Sequence, residues 1–255
     1  MMRFASLGSG SEGNGLLVES AGTRILADCG FGLADTIGRL ARLGVAAESV
    51  DAILVTHEHD DHVGGVARFA RKFKTPVWLT YGTLQASSAN LTGVDNLRVF
   101  DCAKKFAIDS IEVEPYTVPH DAREPSQFVF GDGARRLGLL TDAGAQTPHM
   151  MSVLDNLDAI VLECNHDPEM LKNSSYPEKL KRRIGGRFGH LSNGAAAELL
   201  AGLGRTRLRH AIAAHLSQKN NTPELARAAL AGALGCDSDW VGVADQATGF
   251  DWREI

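Results

Sequence analysis

The sequence DAILVTHEHDDHVGGV, residues 51–66, constrains this chain more than any other stretch. It opens with an apolar run, Ala52 to Val55, short and β-branched enough to be a buried strand. It closes with Val63-Gly64-Gly65-Val66-Ala67, which leads into the amphipathic Phe69-Ala70-Arg71-Lys72-Phe73. Between them stand six consecutive polar side chains able to bind a metal: His57, Glu58, His59, Asp60, Asp61 and His62. Open α/β sheets place their ligand sites at the carboxyl ends of strands, so this strand, loop and helix predict an α/β protein with its site there. Imidazole and carboxylate donors suit zinc, manganese or iron. A His-x-His pair at a strand end can point both rings the same way. Asp61 and His62 then fall at the helix start and can face a second, adjacent position. One loop could thus hold two cations about 3.5–4 Å apart, as two-metal hydrolysis requires. The plainer alternative is a solvated acidic loop with incidental histidines. Three histidines within six residues of a buried strand disfavour it.

HEHDDH resembles the His-x-His-x-Asp-His signature of the metallo-β-lactamase-fold superfamily of dinuclear metallohydrolases. That resemblance implies a four-layer αββα sandwich. At 255 residues the chain can be one such domain, residues 1–255. It also implies a ligand set. His57 and His59 would bind the first metal, with His120 of TVPHDA as the third histidine. Asp61 and His62 would bind the second, with His215 of AIAAHLS as its last ligand. Asp142, in LGLLTDAG, resembles the bridging aspartate. His120, Asp142 and His215 each stand at the end of an apolar run, in the family's order along the chain. Asp28, after the apolar Arg24-Ile25-Leu26-Ala27, resembles an aspartate that supports the site from behind by orienting a ligand histidine. A turn or cap aspartate is the other reading of Asp28.

In chain order, residues 3–27 read as an antiparallel meander, with a Gly/Ser loop at 8–14 that either presents N–H groups to a phosphate or is only a turn. Residues 34–43, 82–91 and 147–154 have helical spacing. Further strands are expected at 75–79, 97–100, 111–118, 127–130, 137–141, 159–163, 210–214 and 240–243, with the tail to Ile255 completing the sheet. Asn165 and His166 follow one of these strands and are expected near the rim of the cleft.

The net charge of −5 offers no global basic field for nucleic acid, so such binding would depend on a local patch. Residues 172–190 are that patch: Lys172, Lys179, Lys181, Arg182, Arg183 and Arg187, leading to His190. It runs into Ser192, a fair N-cap, and Asn193. A helix start beside cations is a natural anion site. Arg187, His190, Ser192 and Asn193 are therefore candidate phosphate contacts, with a solvated face as the alternative. The 4 cysteines show no CxxC pattern, which suggests reduced thiols and a cytoplasmic address. No signal-peptide core or membrane-length apolar stretch is expected to tie the chain to a membrane.

LGSGSEGN, DCG, THEHDDH, TDAG, ECNHD, GHLSN and HLSQKNNTPELA together look like the YycJ/WalJ group of that superfamily, over nearly the whole chain. The resemblance implies exonuclease action, with DNA as substrate and two divalent metal ions, zinc or manganese with iron as a further option. Asp61 or Asp142 would then accept the proton of the attacking water, and His190 would contact the phosphate or protonate the leaving oxygen. The competing readings are a thioester, small-ester or cyclic phosphodiester hydrolase of the glyoxalase II type, and a non-catalytic metal-binding or sensor protein. The sequence leaves the oligomeric state open.

Overall fold

The structure, a computed structural model, describes residues 1–255. Its strands are β1 (Met2–Gly8), β2 (Gly15–Ser20), β3 (Thr23–Ala27), β4 (Ala52–Leu54), β5 (Val77–Leu79), β6 (Leu97–Val99) and β7 (Phe106–Ile108). Then come β8 (Ile111–Thr117), β9 (Ser126–Gly131), β10 (Arg136–Leu140), β11 (Ala159–Glu163), β12 (His210–Ala214), β13 (Gly242–Val243) and β14 (Phe250–Glu254). They form two seven-stranded sheets, ordered β14-β1-β2-β3-β4-β5-β6 and β13-β12-β11-β10-β9-β8-β7. Each half begins with antiparallel hairpins and ends with parallel strands: β3 to β6 in the first, β10 to β13 in the second.

Alternation along the strands produces the layers. Leu16, Val18, Ile25, Ala27, Ala52 and Leu54 of the first sheet meet Leu137, Leu139, Ala159, Val161, Ile212 and Ala214 of the second in one core between the sheets. Their neighbours Leu17, Leu26 and Ile53 point the other way, toward Leu40 of helix Leu33–Arg42 and Val66, Phe69 and Ala70 of helix Val66–Phe73. Ile160, Leu162, Ala211 and Ala213 likewise face helices Pro148–Val153, Asn193–Gly202 and Pro223–Leu234 through Met150, Leu199 and Leu230. A period of two on buried strands leaves both faces apolar, so each sheet needs a partner on both sides. The result is the expected αββα sandwich.

Several local expectations change. The helix expected over 82–91 is shorter, Tyr81–Ser87. Strand β7 was not legible, because FAI is only three residues and carries no alternation of its own. The tail does complete a sheet: β14 pairs antiparallel with β1, so the chain's end closes the first sheet, while β12 and β13 just before it belong to the second. The basic stretch is broken into helices Pro168–Asn173 and Glu178–Ile184. The loop 8–14 is a turn and no phosphate cradle. Gly10 N–H donates to Asn14 Oδ1 (2.9 Å), Gly13 N–H to Gly10 O (3.1 Å), and Asn14 N–H to Asp61 O (2.8 Å). No helix is long and apolar enough to cross a membrane.

Candidate metal centre

The parallel strands of both sheets end at one rim. There the chain must turn sharply, and at three strand ends it does so through a left-handed residue that is not glycine. Asp28 follows β3 with φ 62°, Asp142 follows β10 with φ 52°, and His215 follows β12 with φ 54°. Asp and His are among the residues that tolerate this region, and such conformations gather at functional sites. The turns carry all three side chains into one buried cluster.

His57, His59 and His120 form one group of donors, and Asp61, His62 and His215 another; in each, one ligand atom per residue lies within 4.8 Å of the others. Asp142 stands between them, grouping with His57 and His62 on one side and with His215, His190 and Glu163 on the other. His57 Nε2 is 3.0 Å from His59 Nδ1, and His120 Nε2 is 3.3 Å from the same atom. A tetrahedron with ligand distances of about 2.0–2.1 Å has edges of about 3.3 Å, so this spacing matches a small divalent ion.

The outer side of each ring explains its orientation. His62 Nδ1–H donates to Asp28 Oδ2 at 2.7 Å. His120 Nδ1–H donates to Gly189 O at 3.0 Å. His57 Nδ1 meets Thr56 Oγ1 at 3.0 Å. His215 Nδ1 lies 3.3 Å from Glu163 Oε1. With these nitrogens engaged outward, Nε2 of these four rings is left to point inward, the arrangement that second partners impose on metal-binding histidines, while His59 presents Nδ1. Asp142 Oδ2 is buried with no hydrogen-bond donor, although His62 Nε2 stands 3.0 Å away out of bonding geometry. A buried, unsatisfied anionic oxygen among converging imidazoles is a strong sign that a cation belongs between them. The histidine and aspartate clusters are thus compatible with a dinuclear divalent metal site.

Electrostatics agree. Burial alone would raise the Asp142 pKa, but His215 and His62 hold it well below the carboxylate range. Burial opposes ionisation of Asp61 as well, and His62 and His215 again outweigh it and lower its pKa. His57, buried beside other imidazoles, is pushed down and stays neutral.

Asp28 sits where the sequence expected a supporting residue. Its carboxylate accepts from Thr56 N–H (2.9 Å) and Thr56 Oγ1–H (2.9 Å) as well as from His62. Glu58 and Asp60 turn out of the cluster: Glu58 Oε1 accepts from Arg123 N–H at 2.7 Å, and Asp60 is exposed. His190 is at the rim, with Nδ1 at 2.8 Å from Glu163 Oε1 and 3.4 Å from Asp142 Oδ1. Ser192 Oγ accepts from Ala195 N–H at 3.2 Å as the cap of helix Asn193–Gly202. Arg187 is exposed on the loop after Ile184. Asn193 is not at the surface: its amide is buried and exchanges two hydrogen bonds with Asn221, at 2.8 and 2.9 Å. Those bonds leave it structurally committed, unlike the phosphate contact expected of it.

Three participants were not singled out by the sequence reading. Glu163 was hidden as the last residue of an apolar strand. It accepts from Ala143 N–H (2.9 Å) and Leu191 N–H (3.0 Å) in addition to His190, and its pKa falls to about 2 because the histidines outweigh its burial. Asn14, buried at the end of the glycine loop, places Nδ2 within 3.3 Å of Asp61 Oδ2. Asp121, beside His120, pairs with Arg183 at 2.5 Å. The signal available for Glu163 was a lone acid closing a strand whose neighbours also end in polar residues.

Two seven-stranded sheets between helices, with this histidine and aspartate rim, define a metallohydrolase of the metallo-β-lactamase fold. The family model of the β-lactamase superfamily domain matches residues 23–215. The chain is 35% identical over 245 residues to the exodeoxyribonuclease WalJ of Streptococcus pneumoniae, covering 94% of this chain and 91% of WalJ. It is 37% identical over 228 residues to the exodeoxyribonuclease YycJ of Bacillus anthracis, covering 89% and 86%. Among solved structures, the metallo-β-lactamase fold protein YhfI of Bacillus subtilis superposes with a TM-score of 0.77 at 15% identity, covering 100% of this chain and 99% of YhfI. The chain belongs to the β-lactamase superfamily, in the group of WalJ and YycJ.

Proposed function

We propose that this chain is a metal-dependent exodeoxyribonuclease whose 255 residues act as a single catalytic domain. The observation that carries the reading is the attachment of the basic segment to the metal centre. Gly189 O holds His120, and Arg183 pairs with Asp121, the next residue. A chain with net charge −5 thereby keeps its densest run of cations beside the donors, where a phosphodiester would need them. The names of the relatives, both exodeoxyribonucleases, support DNA as the substrate. A cytoplasmic location is supported by the four unpaired thiols.

His57, His59 and His120 would hold one divalent ion, and Asp61, His62 and His215 the second, with Asp142 between them. The donors suit zinc or manganese, and iron also. Bound there, the ions would supply positive charge that lowers the pKa of water, from about 15.7 toward about 7 for zinc, and neutralises phosphate oxygens. Asp61 or Asp142 accepts the proton that the attacking water gives up. His190, fixed at Nδ1 by Glu163, contacts the phosphate through Nε2 or protonates the leaving oxygen. Arg187 and the Ser192 segment line the approach of the strand.

The test is digestion of end-labelled single- and double-stranded DNA and RNA by manganese- and zinc-loaded protein, beside a thioester substrate. Metal-dependent release of nucleotides that is absent from Asp61→Ala is the expected result. Thioester turnover without nucleic-acid cleavage would replace this reading with that of a glyoxalase II-like hydrolase. His190→Ala should keep both metals and lose rate; full rate with metals bound would remove its role.

A further inference from the structure

The structure contains a polar cavity that the metal chemistry does not use. It has a volume of about 620 Å³ and lies between helices Pro168–Asn173 and Glu178–Ile184 and the start of helix Asn193–Gly202. Its charged walls are Lys172, Lys181 and Arg182 against a single carboxylate, Glu178. Lys172 pairs with Glu169 and Lys181 with Glu178. Arg182 has no carboxylate partner and is exposed.

His166 forms part of the same wall. It is only 4% exposed, and its Nδ1 is buried without a hydrogen-bond partner. A buried imidazole nitrogen left unpaired costs free energy, and a ligand that completes its bonding recovers that cost. Ser192, also in the wall, caps a ten-residue helix whose second residue, Gly194, would bring a Cβ only to 3.9 Å from Ser192 Oγ. The positive end of that helix adds to the attraction for an anion. The backbone carbonyl of His166 accepts from Asn193 N–H at 2.9 Å, which ties the His166 backbone to the helix start.

The cavity is built on the same segments as the metal centre. His166 follows β11, the strand that ends in Glu163, and Ser192 is two residues from His190. A polyanion with one phosphodiester at the metals would bring another phosphate to this neighbouring cavity. We infer that the cavity is a phosphate subsite for the substrate chain, held by His166, Arg182 and the start of helix Asn193–Gly202. This deepens the nuclease reading and rests on it for the identity of the chain, but the anion site itself can be tested without cleavage.

The first arm titrates inorganic phosphate onto the zinc-loaded protein and follows the ring resonances of His166 and Nε of Arg182. A saturable shift at both groups is expected, and the His166 shift should be lost in Arg182→Ala while the remaining spectrum is unchanged. Shifts confined to the metal-centre histidines would overturn the site. The second arm measures oligonucleotide digestion over a salt series. Arg182→Ala should raise KM about tenfold with kcat within about twofold, the size of one lost charge-assisted contact. It should also flatten the log KM against log salt slope by about 0.7–0.9, one phosphate's worth, and Arg182→Lys should restore part of it. Unchanged KM and slope would overturn the proposal. Oligonucleotides with and without a terminal phosphate separate two supporting outcomes. A KM loss confined to phosphorylated ends assigns a terminal monoester, and an equal loss assigns an internal diester. Phosphate shifts without any nucleic-acid cleavage by the wild type would retain the anion site and sink the nuclease reading. Cleavage with no shift and no KM change would do the reverse.

Discussion

Glu163 Oε1 accepts a hydrogen bond from His190 Nδ1 at 2.8 Å, which puts the proton on Nδ1 and leaves Nε2 the nitrogen free of that bond. The carboxylate also raises the His190 pKa: burial would lower it, and Glu163 and Asp142 outweigh burial. Glu163→Gln keeps the volume and removes the charge. The expected loss is about 10–100-fold in kcat, the usual scale for a partner that orients a working residue. If His190 donates a proton, its pKa must fall in this variant, and the alkaline limb of the rate profile must move to lower pH. A limb that stays in place while the rate falls would leave Glu163 a purely structural role.

Asp28 and His62 make the corresponding bond on the far side of the cluster, at 2.7 Å. Asp28→Ala strips an acceptor from His62 and from the backbone N–H and hydroxyl of Thr56, all buried. Each donor left unsatisfied costs about 1–3 kcal/mol. The ion nearest His62 should bind about 10–100-fold more weakly. Asp28→Asn should fall between, because asparagine tolerates the left-handed backbone and retains one acceptor. Metal content after dialysis against graded chelator reads the order, and equal content in all three proteins would deny Asp28 its orienting role.

Metal loading should release protons. In the metal-free protein burial would lower His215, but Asp142, Asp61 and Glu163 raise its pKa to about 10, and His62 is raised for similar reasons. Unfolded histidine titrates near about 6.5, so this stabilisation is complete below that pH and is lost as pH rises through about 10. Glu163 runs the other way: its stabilisation is present above about 4.3, the unfolded value, and is lost as pH falls through about 2. The melting temperature of metal-free protein should therefore decline between pH 7 and pH 10. A bound cation needs the unprotonated donor nitrogen, so roughly one to two protons should leave per protein at pH 7. Calorimetric titration in two buffers of different ionisation enthalpy counts them, and identical heats would contradict the prediction.

The strand ends were legible because each donor follows an apolar run, and an acid or histidine there has no packing reason to exist. His57, Asp142 and His215 all announce themselves this way. Glu163 does so only weakly: AIVLE reads as a strand, and the acid passes for its polar edge although it is fully buried. Asn193 misled for a different reason. Asparagine at a helix start is equally suited to an anion and to a buried amide pair, and its partner Asn221 is 28 residues away, beyond any local pattern. The loop at 8–14 was ambiguous because glycine frees the backbone without saying where its N–H groups point. The side chain that settles it, Asn14, lies within the same loop.

Gly30 sets how closely two segments of the centre can approach, and its replacement separates spacing from backbone freedom. A Cβ there would stand 1.8 Å from Asp61 O and 2.9 Å from Asn14 N. Both are backbone atoms, so no rotamer change relieves the clash. Around it Cys29 N–H donates to His62 O at 2.9 Å and Gly65 N–H to Cys29 O at 2.7 Å, which ties the clash directly to the Asp61–His62 turn. Gly30→Ala should cost about 1–3 kcal/mol, as overpacking does, and displace Asp61 enough to weaken the ion it faces. Gly38→Ala is the contrast. Gly38 lies inside helix Leu33–Arg42 with nothing within 4 Å of its would-be Cβ, so alanine should stabilise by about 0.5–1 kcal/mol. Calorimetry with parallel metal analysis should find Gly30→Ala melting lower and holding less metal. Gly38→Ala should melt about 1–4 °C higher with full metal content. Full metal content in Gly30→Ala would show that the turn can yield without moving its donors, and the close approach at Gly30 would then matter only to folding.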